Sequence, residues 1–417
     1  MTVKNAFYAQ SGGVTAVINA TACGLIQAAR QNPDKIGKVY AGRNGIIGAL
    51  REELIDTSVY SDEEIQALRH TPAGAFGSCR YKLKSFEENI EEYRRLIDVF
   101  KAHDIGYFFY NGGNDSQDTA YKISQLSEKM DYPIICVGIP KTVDNDLPIT
   151  DFCPGFGSVA KYVAVSIMEA SFDIRSMCES STKVFIMEVM GRHAGWIAAA
   201  GGLAQQQDGD APQIILFPEI SFDKQKFLAK VKASVDTHGY CSIVVSEGVQ
   251  FEDGDFLSAS SNVDAFGHAQ LGGVAPILAN MVKAELGYKY HWALADYLQR
   301  SARHIASKTD VELAYQAGAK AIEYALEGRN AVMPAIQRGE NGEWSFIPAP
   351  LDKIANVERF MPRNYITEDG FGITDEARAY LAPLIEGEDF PPFKNGIPEY
   401  ATYRQTLAEK KLPYFEV

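Results

Sequence analysis

Short apolar runs rich in Val, Ile, Phe and Tyr recur along the chain. Most are followed by a glycine-rich or polar turn and then by apolar residues at helical spacing. That alternation predicts βαβ units and a parallel sheet, an α/β fold. Strands are expected at Ala6–Gln10, Ile105–Tyr110, Ile134–Ile139, Val184–Val189, Ile214–Phe217 and Ile243–Ser246. Helices are expected at Thr15–Arg30, Ser116–Met130, Gly157–Met177, Gly195–Gln205, Phe222–Thr237 and Asp310–Leu326. The polar loop Lys141–Gly155 reads as a crossing between two domains. From Ile347 onward the chain, with Pro383, Pro391, Pro392, Pro398 and Pro413, reads as an irregular wrap without chemistry of its own.

At 417 residues the chain exceeds what one compact core usually carries, so two α/β domains are expected. No charge-free run approaches the roughly 18–20 residues that span a bilayer. The opening Met1-Thr2-Val3-Lys4-Asn5 lacks the basic and then apolar pattern of a secretory leader, so a cytoplasmic protein is expected. A net charge of -14 works against non-specific attraction to nucleic acid or anionic lipid, and neither is an expected partner. Any anionic substrate must then be held by local basic residues and backbone N–H groups. The six cysteines, Cys23, Cys79, Cys136, Cys153, Cys178 and Cys241, have neither zinc nor dithiol spacing and are expected to be reduced and structural.

Candidate chemistry gathers where ligands collect in such sheets, after the carboxyl ends of the strands. Pro140-Lys141-Thr142-Val143-Asp144-Asn145-Asp146 puts a lysine, a hydroxyl and two carboxylates in one short loop. It reads either as an Asx turn satisfying local backbone or as a site that binds a phosphoryl group and takes up a proton. Ser11-Gly12-Gly13 is either a tight βα turn or a phosphate cradle. Gly112-Gly113-Asn114-Asp115-Ser116 adds side chains that can cap a helix or bind Mg²⁺ through oxygen. Arg192, in Met190-Gly191-Arg192-His193, suits a bidentate phosphate contact, whereas His193 reads as a packing or hydrogen-bonding residue. Glu247 can accept from sugar hydroxyls, and Tyr297-Leu298-Gln299-Arg300 with Arg303 and His304 forms a basic cluster. There is no Walker-type P-loop. Gly155-Phe156-Gly157-Ser158-Val159-Ala160, with Asp173 downstream, matches a dinucleotide fingerprint but lacks the strand that should precede it.

In this order the segments resemble the phosphofructokinase family, over roughly residues 5–330, and their details resemble its pyrophosphate-dependent branch. The resemblance implies two Rossmann-like three-layer domains with parallel-rich sheets and an active-site cleft between them. Residues 1–155 plus 299–349 would bind the phosphoryl donor, 156–298 the sugar phosphate, and 350–417 would form a C-terminal wrap. It implies Mg²⁺-dependent, reversible phosphoryl transfer from pyrophosphate to fructose 6-phosphate, a step of glycolysis or gluconeogenesis, in a homo-oligomer (dimer or tetramer). An ATP-dependent sugar-phosphate kinase of the same fold is the alternative, and a non-catalytic relative is disfavoured by the retained Asp144, Asp146 and Arg192.

By the same resemblance Asp144 is the base, with Lys141, Thr142 and Asp115 beside the transferring group, and Gly12, Arg80, Gly113, Asn114 and Ser116 line the donor site. Lys183, Met190, Gly191, Arg192, Glu247, Tyr297 and Arg300 hold the sugar phosphate with Thr142 and Asp144, Lys183 reaching a neighbouring subunit's site. Asn114, Asp144 and Asp146 are the implied metal ligands, although most relatives have Asp at the position of Asn114. Lys183 stands where arginine is usual, and Tyr297 where ATP users have histidine. ATP-using relatives carry glycine at the positions of Asp115 and Lys141. A carboxylate ~4 Å from a nucleotide α-phosphate repels it by roughly 4 kcal/mol at an effective dielectric of about 20, which disfavours ATP by on the order of 10³-fold.

Overall fold

The computed structural model describes residues 3–207, 209–258 and 273–417. Its larger sheet holds β1 (Lys4–Ser11), β2 (Ile36–Gly42), β3 (Leu54–Asp56), β4 (Ser78–Cys79), β5 (Ile105–Gly112), β6 (Ile135–Pro140), β11 (Val332–Arg338) and β12 (Trp344–Pro350). Their order is β12-β11-β6-β5-β1-β2-β3, with β4 also on β1. Only the β2–β3 and β11–β12 pairs are antiparallel. The smaller sheet, wholly parallel, runs β10-β7-β9-β8, from β7 (Val184–Val189), β8 (Ile214–Leu216), β9 (Cys241–Ser246) and β10 (Tyr290–Leu294).

Period-two alternation explains why both sheets are buried on both faces. Ala6 and Tyr8 of β1 join one apolar cluster and Phe7 and Ala9 another; in β9, Ile243 and Val245 part in the same way from Val244. Helices supply the outer layers, Ile18–Arg30 packing on Lys308–Leu326 over the first sheet and Phe156–Met177 covering the second. Each sheet therefore has its own core.

The strand orders place the binding crevices. The chain leaves β1 towards β2 on one side and returns to β5 on the other, so the switch point lies where the turns after β1 and β5 meet. In the second sheet the corresponding crevice lies between β7 and β9, whose following turns carry Met190 and Glu247.

The expected wrap from Ile347 needs correction. Trp344–Pro350 is an antiparallel edge strand in full register with β11. Beyond it, Met361, Ile366, Ile373, Ala377, Leu381 and Leu384 are buried in the core of the second sheet, some of them on a short helix, Asp375–Leu381. Two expected helices are also shorter: the first starts at Ile18 rather than Thr15, and Gly195–Gln205 is Trp196–Ala200 followed by a 3₁₀ turn.

Candidate active site

The two crevices open into one cleft of ≈ 880 Å³. The turn after β1 comes first. Gly12 has φ +72° and Gly13 lies under the guanidinium of Arg300: a methyl group on Gly13 would sit 2.6 Å from Arg300 Nη1 and 3.9 Å from Arg80 Nη2. These glycines precede the helix at Ile18 by several residues, so the turn itself and not that helix's N-terminus faces the cleft. The turn after β5 behaves differently. Gly113 is the N-cap of the helix Asn114–Lys129 and no side chain caps it, so of the two alternatives for Asn114, Asp115 and Ser116 the capping one is not realised; this uncapped helix end lines the cleft, and such an end suits an anion.

The loop after β6 supplies titratable groups to the cleft. Thr142 Oγ1 accepts from the Asp144 backbone N–H (3.1 Å), so the hydroxyl makes the local turn and the Asp144 carboxylate lines the cleft. Lys141 is 5% exposed and its Nζ donates to Gly13 O at 2.7 Å, tying this loop to the turn after β1. Burial, with Arg300 and Arg80 nearby and only partly offset by Asp144 and Asp146, pulls the Lys141 ammonium down to about 8. Burial and the neighbouring Asp146 and Glu247 carboxylates push Asp144 up to about 7, against the opposing pull of Lys141. A base and an acid poised near neutrality thus share one loop. Asn114 Oδ1 and Asp146 Oδ1 are buried without hydrogen-bond partners in the described structure.

The opposite wall comes from the second sheet. Gly191, φ +125°, turns the chain after β7 so that its carbonyl accepts from Ser246 Oγ, and Gly248 lets Arg192 O approach. Met190, Arg192, Glu247, Tyr297 and Arg300 line the cleft, and the Arg300 guanidinium stacks 3.9 Å from the Tyr297 ring centroid. Gln299, 1% exposed, accepts from the Met190 N–H at 3.3 Å and bolts the two segments together.

Lys183, expected at a neighbouring subunit's site, lies outside this chain's own cleft, and its Nζ donates to Cys178 O. Gly191 shapes the wall without lining it. The predicted basic cluster divides: Arg300 faces the cleft, while Arg303 is fully buried with Asp389 and the Arg69 carbonyl. The dinucleotide-like segment has its N–H groups filled by an internal carboxylate, Asp310, which accepts from Gly155 and Ser158 at 2.9 and 2.8 Å.

Several residues were missed. Lys82 lies 2.6 Å from Asp115, and the basic and aromatic run Arg80-Tyr81-Lys82 was a usable signal. Glu188, a lone carboxylate in an apolar strand, was another; it accepts from the N–H groups of Gly273 and Ala275. Glu358, Arg359 and Phe360 come from the supposedly inert tail, with Glu358 3.1 Å from His193, and nothing in their sequence marks them.

Residues 5–325 match the family model described as Phosphofructokinase. The chain is 66% identical over 419 residues to a pyrophosphate–fructose 6-phosphate 1-phosphotransferase of Halomonas elongata, covering all of both chains. It is 64% identical over 414 residues to the enzyme of that name from Methylococcus capsulatus, covering 99% of each. The crystal structure of a pyrophosphate-dependent phosphofructokinase from Marinobacter aquaeolei superposes with a TM-score of 0.92 at 64% identity, each chain covered completely. Fold, cleft and sequence agree, and the chain belongs to the phosphofructokinase family.

Proposed function

We propose that the cleft carries out the reversible, Mg²⁺-dependent transfer of a phosphoryl group from pyrophosphate to the 1-hydroxyl of fructose 6-phosphate, giving fructose 1,6-bisphosphate and phosphate. The observation that carries this reading is the placement of Asp144 and Lys141, from one loop, between the glycine turns of the first sheet and the Met190, Arg192 and Glu247 wall of the second. Asp144 takes the proton of the attacking hydroxyl. Lys141 stabilises charge on the departing phosphate. Gly12, Arg80, Gly113 and Ser116 hold the diphosphate, and Met190, Gly191, Arg192, Glu247, Tyr297 and Arg300 orient the sugar phosphate. Residues 1–155 with 299–349 act as the donor half, 156–298 as the acceptor half.

The partnerless oxygens of Asn114 and Asp146, which line the same cleft as Asp144, fit a hard cation that takes the rest of its shell from diphosphate. Among the described residues no three acidic, His or Cys side chains converge as a metal cage. When bound, Mg²⁺ supplies neutralisation of diphosphate charge. The exposed apolar edge formed by Trp292, Leu294, Tyr297 and Leu298 supports assembly into a dimer or tetramer. No helix among the described residues is long and apolar enough to cross a membrane, and six unpaired cysteines suit a reducing compartment such as the cytoplasm.

Purified protein given Mg²⁺ and fructose 6-phosphate should form the bisphosphate with pyrophosphate much faster than with ATP; equal or faster turnover with ATP would reject this donor. The pH profile is a second check. Asp144 must be ionised, so kcat/KM rises as pH climbs through about 7. Lys141 must be protonated, so it falls again as pH climbs through about 8. The result is a narrow bell whose acid limb belongs to the interacting Asp144 and Asp146 pair. Initial rates across this range test it; Lys141→Met should remove the alkaline limb and, by withdrawing the cation that holds Asp144 down, move the acid limb to higher pH.

A further inference from the structure

We infer that Arg359 is a positioning residue, which locks the backbone carrying Asp144 and Asp146 and does not bind either substrate. The inference rests on the reading of that loop as catalytic. An arginine lining a diphosphate cleft invites assignment to phosphate, but a guanidinium has five N–H donors, and all five are used. Nε and Nη2 donate to Asn145 O at 3.2 and 2.8 Å, Nη1 to Thr150 O and Asp151 O at 2.7 and 3.2 Å, and Nη2 also to Tyr380 Oη at 3.3 Å. The Arg359 backbone N–H adds a bond to Asp146 O at 2.7 Å.

The grip falls where the loop needs it. Asn145 and Ile149 have φ +56° and +67°, left-handed conformations that persist only when the surroundings over-determine them, the more so for a β-branched isoleucine. Arg359 seizes the carbonyls at Asn145 and just beyond Ile149, at both ends of the strained stretch. Tyr380 completes the brace by accepting from Asn145 Nδ2 (2.7 Å) and donating to Asp151 O. The cation also stacks on Trp196, 4.9 Å from the ring centroid, in the core of the second sheet, so the loop is pinned to the opposite wall. Arg359 and Tyr380 both lie beyond the stretch matched by the family model. The catalytic loop is therefore held by the C-terminal segment.

The test combines Arg359→Met, Arg359→Lys, Arg359→Gly and Tyr380→Phe with steady-state kinetics and hydrogen–deuterium exchange. Arg359→Met should lower kcat by about 10²-fold, since a misplacement near 1 Å has that cost, while KM for pyrophosphate changes by less than about threefold. Lysine should not rescue, because a point ammonium cannot span both groups of carbonyls. Free guanidinium should restore part of the activity of Arg359→Gly. Amides of residues 142–153 should exchange at least about tenfold faster in Arg359→Met, with β5 unchanged. Tyr380→Phe, a gentler change, should show the same effects in smaller measure if the arginine variants fold poorly. A pyrophosphate KM raised about tenfold or more at unchanged kcat would make Arg359 a phosphate ligand and overturn the inference, as would unchanged exchange. Absence of pyrophosphate turnover in the unmutated protein would instead reject the proposed reaction, and exchange would still decide on the brace.

Discussion

Asp144→Asn should lower kcat by about 10²- to 10⁴-fold, the usual worth of a general base, with KM for fructose 6-phosphate changed little. Because the group that accepts the proton in one direction returns it in the other, the reverse reaction from fructose 1,6-bisphosphate and phosphate should fall by a similar factor. A variant retaining most of its turnover would remove Asp144 from the mechanism. The same substitution has a consequence for stability, of opposite sign. In the fold the carboxyl titrates near 7 because burial and neighbouring carboxylates oppose its ionisation. In the unfolded chain it titrates near its ordinary value of 3.8. Stability linked to Asp144 is therefore full below the unfolded value and is lost as pH rises through about 7, where the folded protein must carry a disfavoured charge. Asn carries none. At about pH 8 the variant should gain on the order of 1–3 kcal/mol, allowing for solvent that reaches the carboxylate from the cleft. Thermal melts at about pH 4 and pH 8 check this: the gain should be small at the lower pH, build through the interval between the two titrations and be complete above about 7.

The parallel strands and the cleft-lining loop that carries Lys141 and Asp144 were legible because their signals are local. Ile105–Tyr110 and Ile243–Ser246 are continuous apolar runs followed by glycine or a carboxylate, and a buried parallel strand has that composition. Hidden elements contradicted local rules. Pro334, Pro348 and Pro350 sit inside β11 and β12, and prolines read as a loop. They are tolerated because β12 is an edge strand and β11 meets β6 only at Val332. In β10, His291 to Leu294 are all exposed, so no alternation betrays the strand. The site was legible to the same degree: residues in strand-end turns, with Arg80, Tyr297 and Arg300, were read from the sequence and line the cleft, whereas Glu188 within a strand and Glu358, Arg359 and Phe360 from the C-terminal segment were not. Arg303 follows Arg300 by three residues, but the helix ends at Ser301 between them and Arg303 opens a separate 3₁₀ turn, so one enters the cleft while the other meets Asp389. Lys82 and Asp115, 33 positions apart, form a contact that no spacing rule encodes.

That contact bears directly on donor choice. A bare carboxylate would exclude a nucleotide by its own repulsion, but Asp115 is 40% exposed and has the Lys82 ammonium 2.6 Å away, so solvent and the partner both reduce the penalty below the ~10³-fold drawn from sequence. On the proposed reading Lys141, buried in the wall, should carry more of the discrimination than Asp115. Asp115→Gly combined with Lys141→Gly should lower pyrophosphate turnover by at least about 10²-fold, the worth of a lost charge-assisted contact in a desolvated site, and raise the ATP-to-pyrophosphate ratio by a similar factor. Asp115→Gly alone should already raise that ratio, by about tenfold or less, for a reason that the sequence did not suggest: Lys82 is then free to meet an additional phosphate. Adding Lys82→Met to Asp115→Gly should cancel much of the gain while leaving the pyrophosphate rate nearly unchanged. If the ratio responds to Asp115→Gly but not to Lys82, simple relief of repulsion is the whole effect; if it responds to neither, donor choice is made elsewhere in the cleft. Parallel kinetics with the two donors at saturating fructose 6-phosphate separate these outcomes. A melting curve for each variant bounds the helix penalty of glycine at the second helical position, about 1 kcal/mol or less, which is too small to produce a change in donor ratio.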